Sequence, residues 1–405
     1  QVRALFAERQ PIYRQAHAVI DTSDLSPGDV CGRISGLVKT FDDLAAGDRK
    51  DATFVVTRDA VCPILTATGN LDRIGTWPDT ERAAILTDDN VGPLYAGRAK
   101  AALDAAGIAT TTVTVAAGEG TKTLAEVGKV AEKLACAGLD RQSVIVALGG
   151  GVIGDLAGFV AATLFRGIPC IQVPTTLLAM IDSAIGGKTG VNLAAGKNLV
   201  GAIVQPVLVV TDPETLATLP ARELRAAYGE LLKYGLLDGD PLWTEIAALA
   251  PAIASGAVSL DAITPVIRRA AAIKAAIVGA DERERSGRRA LLNLGHTVGH
   301  AIETAAGYGR LLHGEAVALG LIAAARVSAA LDLCPTDLET TISDTAAAAG
   351  LDTDLSPWLT DQVLAATAVD KKRRAGKIRF IALAGAGAPT LVDLAPDTLA
   401  RILRA

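Results

Sequence analysis

The stretch that decides the fold runs from Val144 to Ala162 and reads VIVALGGGVIGDLAGFVAA. Its first five residues are all apolar, the signature of a strand buried on both faces. Gly149, Gly150 and Gly151 follow at once, and an apolar helical stretch begins directly after them. Glycines at such a junction let the backbone approach a ligand, while the amides and dipole of the following helix favour a pyrophosphate. The glycines fall at 149, 150, 151 and 154, so the run is neither a strict G-x-G-x-x-G nor a phosphate loop ending in GK[ST]. A turn required only for helix–strand packing is the plain alternative.

The same alternation extends on either side. TFVVT, AAILTDD, TTVTV, CIQVPTT and VLVVTD are short apolar or β-branched runs separated by Ala-rich helical segments. That pattern predicts βαβ units and a mostly parallel sheet, here assigned to residues 49–220. Beyond TLPARELRAAYGELLKYGLL the strand signals give way to long Ala/Leu-rich helical windows, which predict a helical domain over 221–405 with a small ribbon from KIRFIALAG and TLVDL. Residues 1–48 read as helix, turn, the short apolar strand Ala18–Thr22, and a second helix with Ser26 as N-cap and Pro27 as its first residue. The fold class is thus an α/β domain with a mostly parallel sheet followed by a mostly α-helical one.

Composition narrows the function. The chain has 405 residues, half of them apolar and 3% aromatic, so Ala, Val, Leu and Ile must build the core. A net charge of −5 offers no general attraction to nucleic acid or anionic membranes. Five scattered cysteines without C-x-x-C spacing fit a reducing cytoplasm rather than a disulfide framework. No apolar run approaches a membrane span, and Arg3, Glu8 and Arg9 do not suit a signal peptide. The first residue is Gln, so position 1 need not be the biological start.

Two clusters carry chemistry. Three of the four histidines, His296, His300 and His313, lie in LNLGHTVGHAIETAAGYGRLLHGEA. On a helix His296 and His300 share a face, which suggests a metal site, with Glu230, Glu303 and Glu315 as candidate carboxylates. No H-E-x-x-H is present, so a zinc protease is not supported. The second cluster is cationic: Arg166, Lys188, Lys197, Lys233, Lys274, Arg289 and the DKKRR run at 370–374. Lys188 and Lys197 sit in DSAIGGKTGVNLAAGKN, read as a Gly/Asn-rich loop. In an acidic chain such placement points to a small polyanion bearing phosphate or carboxylate, against the alternative of solvated surface lysines.

TDDNV, GEGTKT, the Gly-rich run, QVPTTLLAMIDSAIGGKTGVN, GKNLVGAIVQP, GELLKYG and LLNLGHTVGHAIE with GYGRLLHGEAVALG together closely resemble the 3-dehydroquinate synthases, a sugar-phosphate cyclase family, over about residues 50–385. The resemblance implies a Rossmann-like NAD domain and a helical metal domain. It assigns zinc, with cobalt an alternative, to Glu230, His296 and His313, and places His300 beside substrate instead. It lines the substrate site with Asp182, Lys188, Lys197, Asn198, Lys233, Lys274, Arg289 and Asn293. Arg166 would arrive from the second subunit of a homodimer, and Lys371 or Lys372 would close the site. NAD would contact Asp88, Asn90, Glu119, Lys122, Gly150, Gly151, Asp155, Thr175, Thr176, Thr218 and Glu223.

The implied reaction converts 3-deoxy-D-arabino-heptulosonate 7-phosphate to 3-dehydroquinate and phosphate, a step of the shikimate pathway. It proceeds by transient oxidation, β-elimination, re-reduction and aldol closure, with Lys188, Lys233, Asn198, Lys274, Arg289 and His300 as the catalytic set. Cyclases making valiolone or deoxy-inosose rings, a metal-dependent polyol dehydrogenase and a non-enzymatic NAD-binding protein are the rivals. Residues 5–34 resemble the end of shikimate kinase, including Arg9, Pro11 and Tyr13, which implies a kinase–synthase fusion in the native polypeptide.

Overall fold

A computed structural model describes residues 16–404 apart from 24, 308, 370–372, 375 and 376. Arg9, Pro11, Tyr13, Lys371 and Lys372 lie outside the described residues. The chain divides into two compact units. The first takes residues up to Val173, then Ala184–Thr211 and Lys274–Glu282; the second takes Pro174–Ser183, Asp212–Ile273 and the chain from Arg283 onward.

The first unit is built on a seven-stranded sheet. In chain order its strands are β1 (Ala52–Val56), β2 (Val61–Thr66), β3 (Arg82–Asp88), β4 (Ala109–Val115), β5 (Val144–Gly149), β6 (Cys170–Pro174) and, after the separate hairpin β7 (Lys188–Leu193) and β8 (Gly196–Ile203), β9 (Leu208–Thr211). The spatial order is β1-β2-β9-β6-β5-β3-β4. β3 runs parallel to both β4 and β5, and β9 parallel to both β2 and β6; β1 is antiparallel to β2.

The apolar runs explain this arrangement directly. All six residues of β5 are buried. Val144, Val146 and Leu148 pack into the core on one face, while Ile145 and Ala147 pack into the core on the other. Side chains alternate across a strand, so a wholly apolar strand needs both faces covered. β4, at the edge, alternates buried and exposed residues near its end.

Three local expectations need correction. Ala18–Thr22 forms no strand; Asp21 Oδ1 instead accepts from Ser23 N and Oγ at 3.0 and 2.8 Å, a turn that competes with extension. β2 went unrecognised because Pro63 interrupts its pattern. It fits because pairing with β9 begins only at Ile64. The supposed loop around Lys188 is the β7–β8 hairpin, whose glycines Gly190 and Gly201 face each other across the pair. A Cβ on Gly201 would lie 2.0 Å from Thr189 O, so the residues that hid the strands from composition are those that let them close.

Upstream, the helix Pro27–Asp43 starts as expected. Ser26 Oγ accepts from Asp29 N at 3.2 Å and Asp29 Oδ2 accepts from Ser26 N at 3.3 Å, a reciprocal cap.

The second unit is helical, with the ribbon Lys377–Leu383 and Pro389–Leu394 paired antiparallel. Its single core is Ala/Leu-rich and includes fully buried Tyr228 and Tyr234. Three helices position the histidine cluster: Ala221–Asp238, His296–Ala306 and His313–Ala330. No helix among the described residues is long and apolar enough to cross a membrane.

Candidate active site

Glu230 sits in the middle of the helix Ala221–Asp238 with no exposed surface. A carboxylate so placed needs counter-charge, because desolvation opposes its ionisation. Lys233, one turn later and 1% exposed, ion-pairs with Glu230 Oε2. On the other side Glu230 Oε1 lies 3.2 Å from His296 Nε2 and 3.2 Å from His313 Nε2.

The far nitrogens of both rings are already engaged. His296 Nδ1 lies 3.0 Å from Leu294 O, and His313 Nδ1 lies 3.1 Å from Glu303 Oε2. An acceptor at Nδ1 keeps a ring proton there, so in the neutral form of each ring Nε2 turns a lone pair toward the carboxylate. Glu230 Oε2 is thus held by Lys233, while Oε1 faces both rings. With both rings neutral, Oε1 and the two Nε2 atoms are three electron-pair donors converging on one point, an arrangement that suits a cation in place of the His313 proton.

The dimensions suit one. Bonds of about 2.1 Å to a tetrahedral ion set neighbouring ligand atoms roughly 3.4 Å apart, close to what is seen here. The electrostatics agree. Burial opposes ionisation of Glu230, but Lys233 and His296 outweigh it and hold the carboxyl well below its usual range. Burial also opposes protonation of His313, yet hydrogen bonding to Glu230 and Glu303 raises it to about 10. His296 is pushed down, burial prevailing over Glu230. The site attracts positive charge at the point the three groups share.

Each of these residues is flanked by a glycine, and the structure shows why. A Cβ on Gly229 would lie 2.0 Å from Gly314 O, and one on Gly314 would lie 1.8 Å from Ala226 O. These two glycines let the Glu230 and His313 helices meet backbone to backbone. A Cβ on Gly320 would lie 1.9 Å from Gly295 O, so the His296 helix is clasped to the His313 helix in the same way. Any side chain at these contacts would part the helices that carry the three donors.

His300 shares a face with His296, as helical spacing requires; their ring centroids are 5.0 Å apart. Candidate donor atoms of His296, His300 and His313 all lie within 4.8 Å of one another. His300 is exposed, whereas Glu230 is nearer to the other two rings. Beside this cluster Lys233 Nζ stands 3.7 Å from Asp182 Oδ1 and 4.7 Å above the Tyr234 ring. Tyr234 donates its hydroxyl to Asp182 Oδ1 at 2.7 Å. Burial works against the Lys233 charge, but Glu230 and Asp182 raise its pKa overall.

The second unit also contains Arg289, buried; Asn293, which donates to Ala290 O at 3.2 Å; Thr175, whose buried hydroxyl has no hydrogen-bond partner among the described residues; Thr176; Thr218; and exposed Glu223.

The first unit gathers a different set at the carboxyl ends of its parallel strands, where open α/β sheets take ligands. Asp88 ends β3 and accepts from Asn90 N and Val91 N at 3.0 and 2.8 Å. The turn after β5 places Gly150 as N-cap of the helix Gly151–Thr163 with no side-chain cap, leaving its first amides available to an anion. Lys122, 4% exposed, donates to Asp155 Oδ2 and to Asn198 Oδ1, each at 2.7 Å, and stands 3.4 Å from Glu119 Oε1. Burial raises the Asp155 carboxyl against the opposing pull of Lys122. Lys188 opens β7, Lys197 lies on β8, and Lys274 is buried in the same unit. Phe165 and Arg166 both adopt positive φ, 52° and 70°, so a strained turn carries the exposed Arg166.

Sequence reasoning missed the contacts of Tyr234 and Asn192, although both lie inside the quoted runs GELLKYG and GGKTGVN; Glu303, weighed there as a candidate ligand carboxylate, instead holds His313 Nδ1.

Comparison with known proteins accords with this geometry. Residues 112–226 match the family model of the 3-dehydroquinate synthase N-terminal region, and residues 227–373 match that of the C-terminal region. The 3-dehydroquinate synthase of Symbiobacterium thermophilum is 44% identical over 358 residues, covering 83% of this chain and 95% of that relative. Among solved structures, 2-deoxy-scyllo-inosose synthase complexed with carbaglucose-6-phosphate, NAD+ and Co2+ aligns with a TM-score of 0.76 and 27% identity, over 87% of this chain and 99% of that one. The 2-epi-5-epi-valiolone synthase of Streptomyces hygroscopicus subsp. jinggangensis 5008, with NAD+ and Zn2+ bound, aligns with a TM-score of 0.77 and 28% identity, over 84% of this chain and 95% of that one. With both halves of the family matched and the ordered motifs folded onto its two units, the chain belongs to the 3-dehydroquinate synthase family.

Proposed function

We propose that the protein converts 3-deoxy-D-arabino-heptulosonate 7-phosphate to 3-dehydroquinate and inorganic phosphate, using NAD as a recycled oxidant and a zinc or cobalt ion. The observation that carries this reading is the convergence of Glu230 Oε1, His296 Nε2 and His313 Nε2 on one point. Those three residues would hold the ion, and Asp88, Asn90, Glu119, Lys122, Gly150, Gly151, Asp155, Thr175, Thr176, Thr218 and Glu223 would hold NAD. When bound, the ion polarises a substrate oxygen and NAD accepts and returns a hydride.

The chain's own groups do the rest. Lys188, Lys197, Lys274 and Arg289 grip carboxylate and phosphate, a charge demand that a simple polyol would not make. Asp182, Asn198 and Asn293 orient hydroxyls, and Lys233 keeps Glu230 ionised. His300, exposed beside the donor set, relays a proton to or from substrate. Holding the opened chain in one conformer is the contribution to the final ring closure. The reading extends to a cytoplasmic homodimer in which Arg166 serves the second copy, to closure by Lys371 or Lys372, and to a shikimate-kinase fusion; a native polypeptide no larger than 41.4 kDa would refute the last.

Incubation with the heptulosonate phosphate and catalytic NAD tests the reaction. Phosphate release with no net NADH is expected. Accumulating NADH would favour a dehydrogenase, and turnover only of sugar phosphates lacking a carboxylate would favour another cyclase.

A further inference from the structure

Asn192 has no part in the assignments above, yet it touches both halves of the first unit's polar cluster. Its side-chain NH2 donates to Glu119 Oε1 at 2.8 Å, and its Oδ1 accepts from the backbone N–H of Asn198 at 2.8 Å. Its own backbone N–H donates to Lys122 O at 2.8 Å, and it bridges to Thr123 in parallel fashion. Asn198 in turn has φ +54°, a left-handed conformation that a non-glycine residue holds only when its surroundings enforce it. Its side-chain oxygen takes a hydrogen bond from Lys122, which also holds Asp155.

From this we infer that Asn192 is a positioning residue that braces the NAD-holding groups Glu119 and Lys122 and, through a separate contact, the substrate-orienting Asn198. The inference rests on the roles proposed above for those three residues. One amide does two separable jobs. As an acceptor it props the strained backbone of Asn198; as a donor it aims Glu119. Every bond named lies within the first unit, on the hairpin β7–β8, the segment after β4 and the helix Gly151–Thr163. Lys122, nearly fully buried and shared by two acceptors, cannot move toward one without loosening the other.

Two substitutions separate the jobs. Asn192→Asp keeps an oxygen to accept from Asn198 N–H but cannot donate to Glu119, and places like charge beside it. Asn192→Ala removes both contacts. NAD affinity is read by calorimetry on the full chain, and KM and kcat by phosphate release from the heptulosonate phosphate. Asn192→Asp should weaken NAD at least tenfold while KM for the substrate stays within about threefold; Asn192→Ala should weaken NAD and also lower kcat/KM at least tenfold. Tenfold is the scale of losing one hydrogen bond to a charged group.

Thermal melting monitors folding, and Asn192→Asp carries the test even where Asn192→Ala fails to fold. Equal effects of Asn192→Asp on NAD and substrate would mean a general brace and would overturn the inference, as would wild-type values for both ligands. Wild-type protein that binds NAD but releases no phosphate would instead sink the proposed reaction, while the calorimetric comparison still judged the contact with Glu119.

Discussion

Gly314→Ala tests the idea that glycine contacts assemble the donor set. The added Cβ would lie 1.8 Å from Ala226 O and 2.6 Å from Ala226 C, with rigid backbone on both sides. Restoring even a tight contact near 3 Å requires the two helices to part by roughly 1.2 Å, since close-packed interiors leave no slack to absorb a methyl group. His313 is the neighbouring residue and Glu230 sits on the facing helix, so the parting falls on the 3.2 Å gap between His313 Nε2 and Glu230 Oε1. A shift of that size is about a third of the roughly 3.4 Å edge a tetrahedral ion tolerates.

Overpacking should destabilise the second unit by about 1–3 kcal/mol, and metal affinity should fall at least tenfold, the scale of disturbing a ligand's support. A misplacement near 1 Å also predicts about 100-fold lower kcat. The assays are metal retention against a graded chelator, thermal melting and phosphate release. A Gly314→Ala protein that retains metal and turns over as wild type would refute the view that backbone contact sets the ligand spacing.

Other expectations follow from single contacts. His313→Ala should abolish activity and release metal while leaving the sheet unit folded; wild-type metal content by elemental analysis would exclude it as a ligand. Lys197→Ala should lower kcat/KM with NAD affinity nearly unchanged, and an equal loss of NAD affinity in calorimetry would show the lysine is misassigned. Gly128 lies inside the helix Leu124–Cys136 with no atom within 4 Å of an added Cβ, so Gly128→Ala should stabilise by about 0.4–1 kcal/mol, seen as a higher melting temperature. Burial pushes the Cys170 thiol up to about 12 and Cys62 higher still, whereas Cys31 and Cys136 are exposed. Native protein should therefore show its fast thiol reaction at Cys31 and Cys136, with Cys62 and Cys170 reacting only on unfolding, as peptide mapping after brief alkylation would reveal.

Much of the architecture was legible because burial on both faces leaves a local mark. β3, β5 and β9 announce themselves by their apolar runs, and the Gly-rich turn after β5 marks where the sheet meets its helix. The strands that escaped notice, β2 and the hairpin β7–β8, owe their stability to partners far along the chain, and Pro63, Gly190 and Gly201 erase the local signal. Ala18–Thr22 erred the other way, an apolar run ended by a short-range Asp21–Ser23 turn.

The candidate site divides similarly. Sequence by itself determined the residue types available for chemistry: scarce histidines in one window, cations in glycine-rich segments, and ordered motifs resembling one family. It could not decide which donors meet. Helical periodicity is a property of one helix, so it pairs His296 with His300 and says nothing of a carboxylate 66 positions earlier. That choice belongs to the contacts of three helices, where missing Cβ atoms at Gly229, Gly295, Gly314 and Gly320 permit backbones to touch and bring Glu230 to His296 and His313. Close packing acts between segments remote in sequence, and only the folded chain specifies which segments those are.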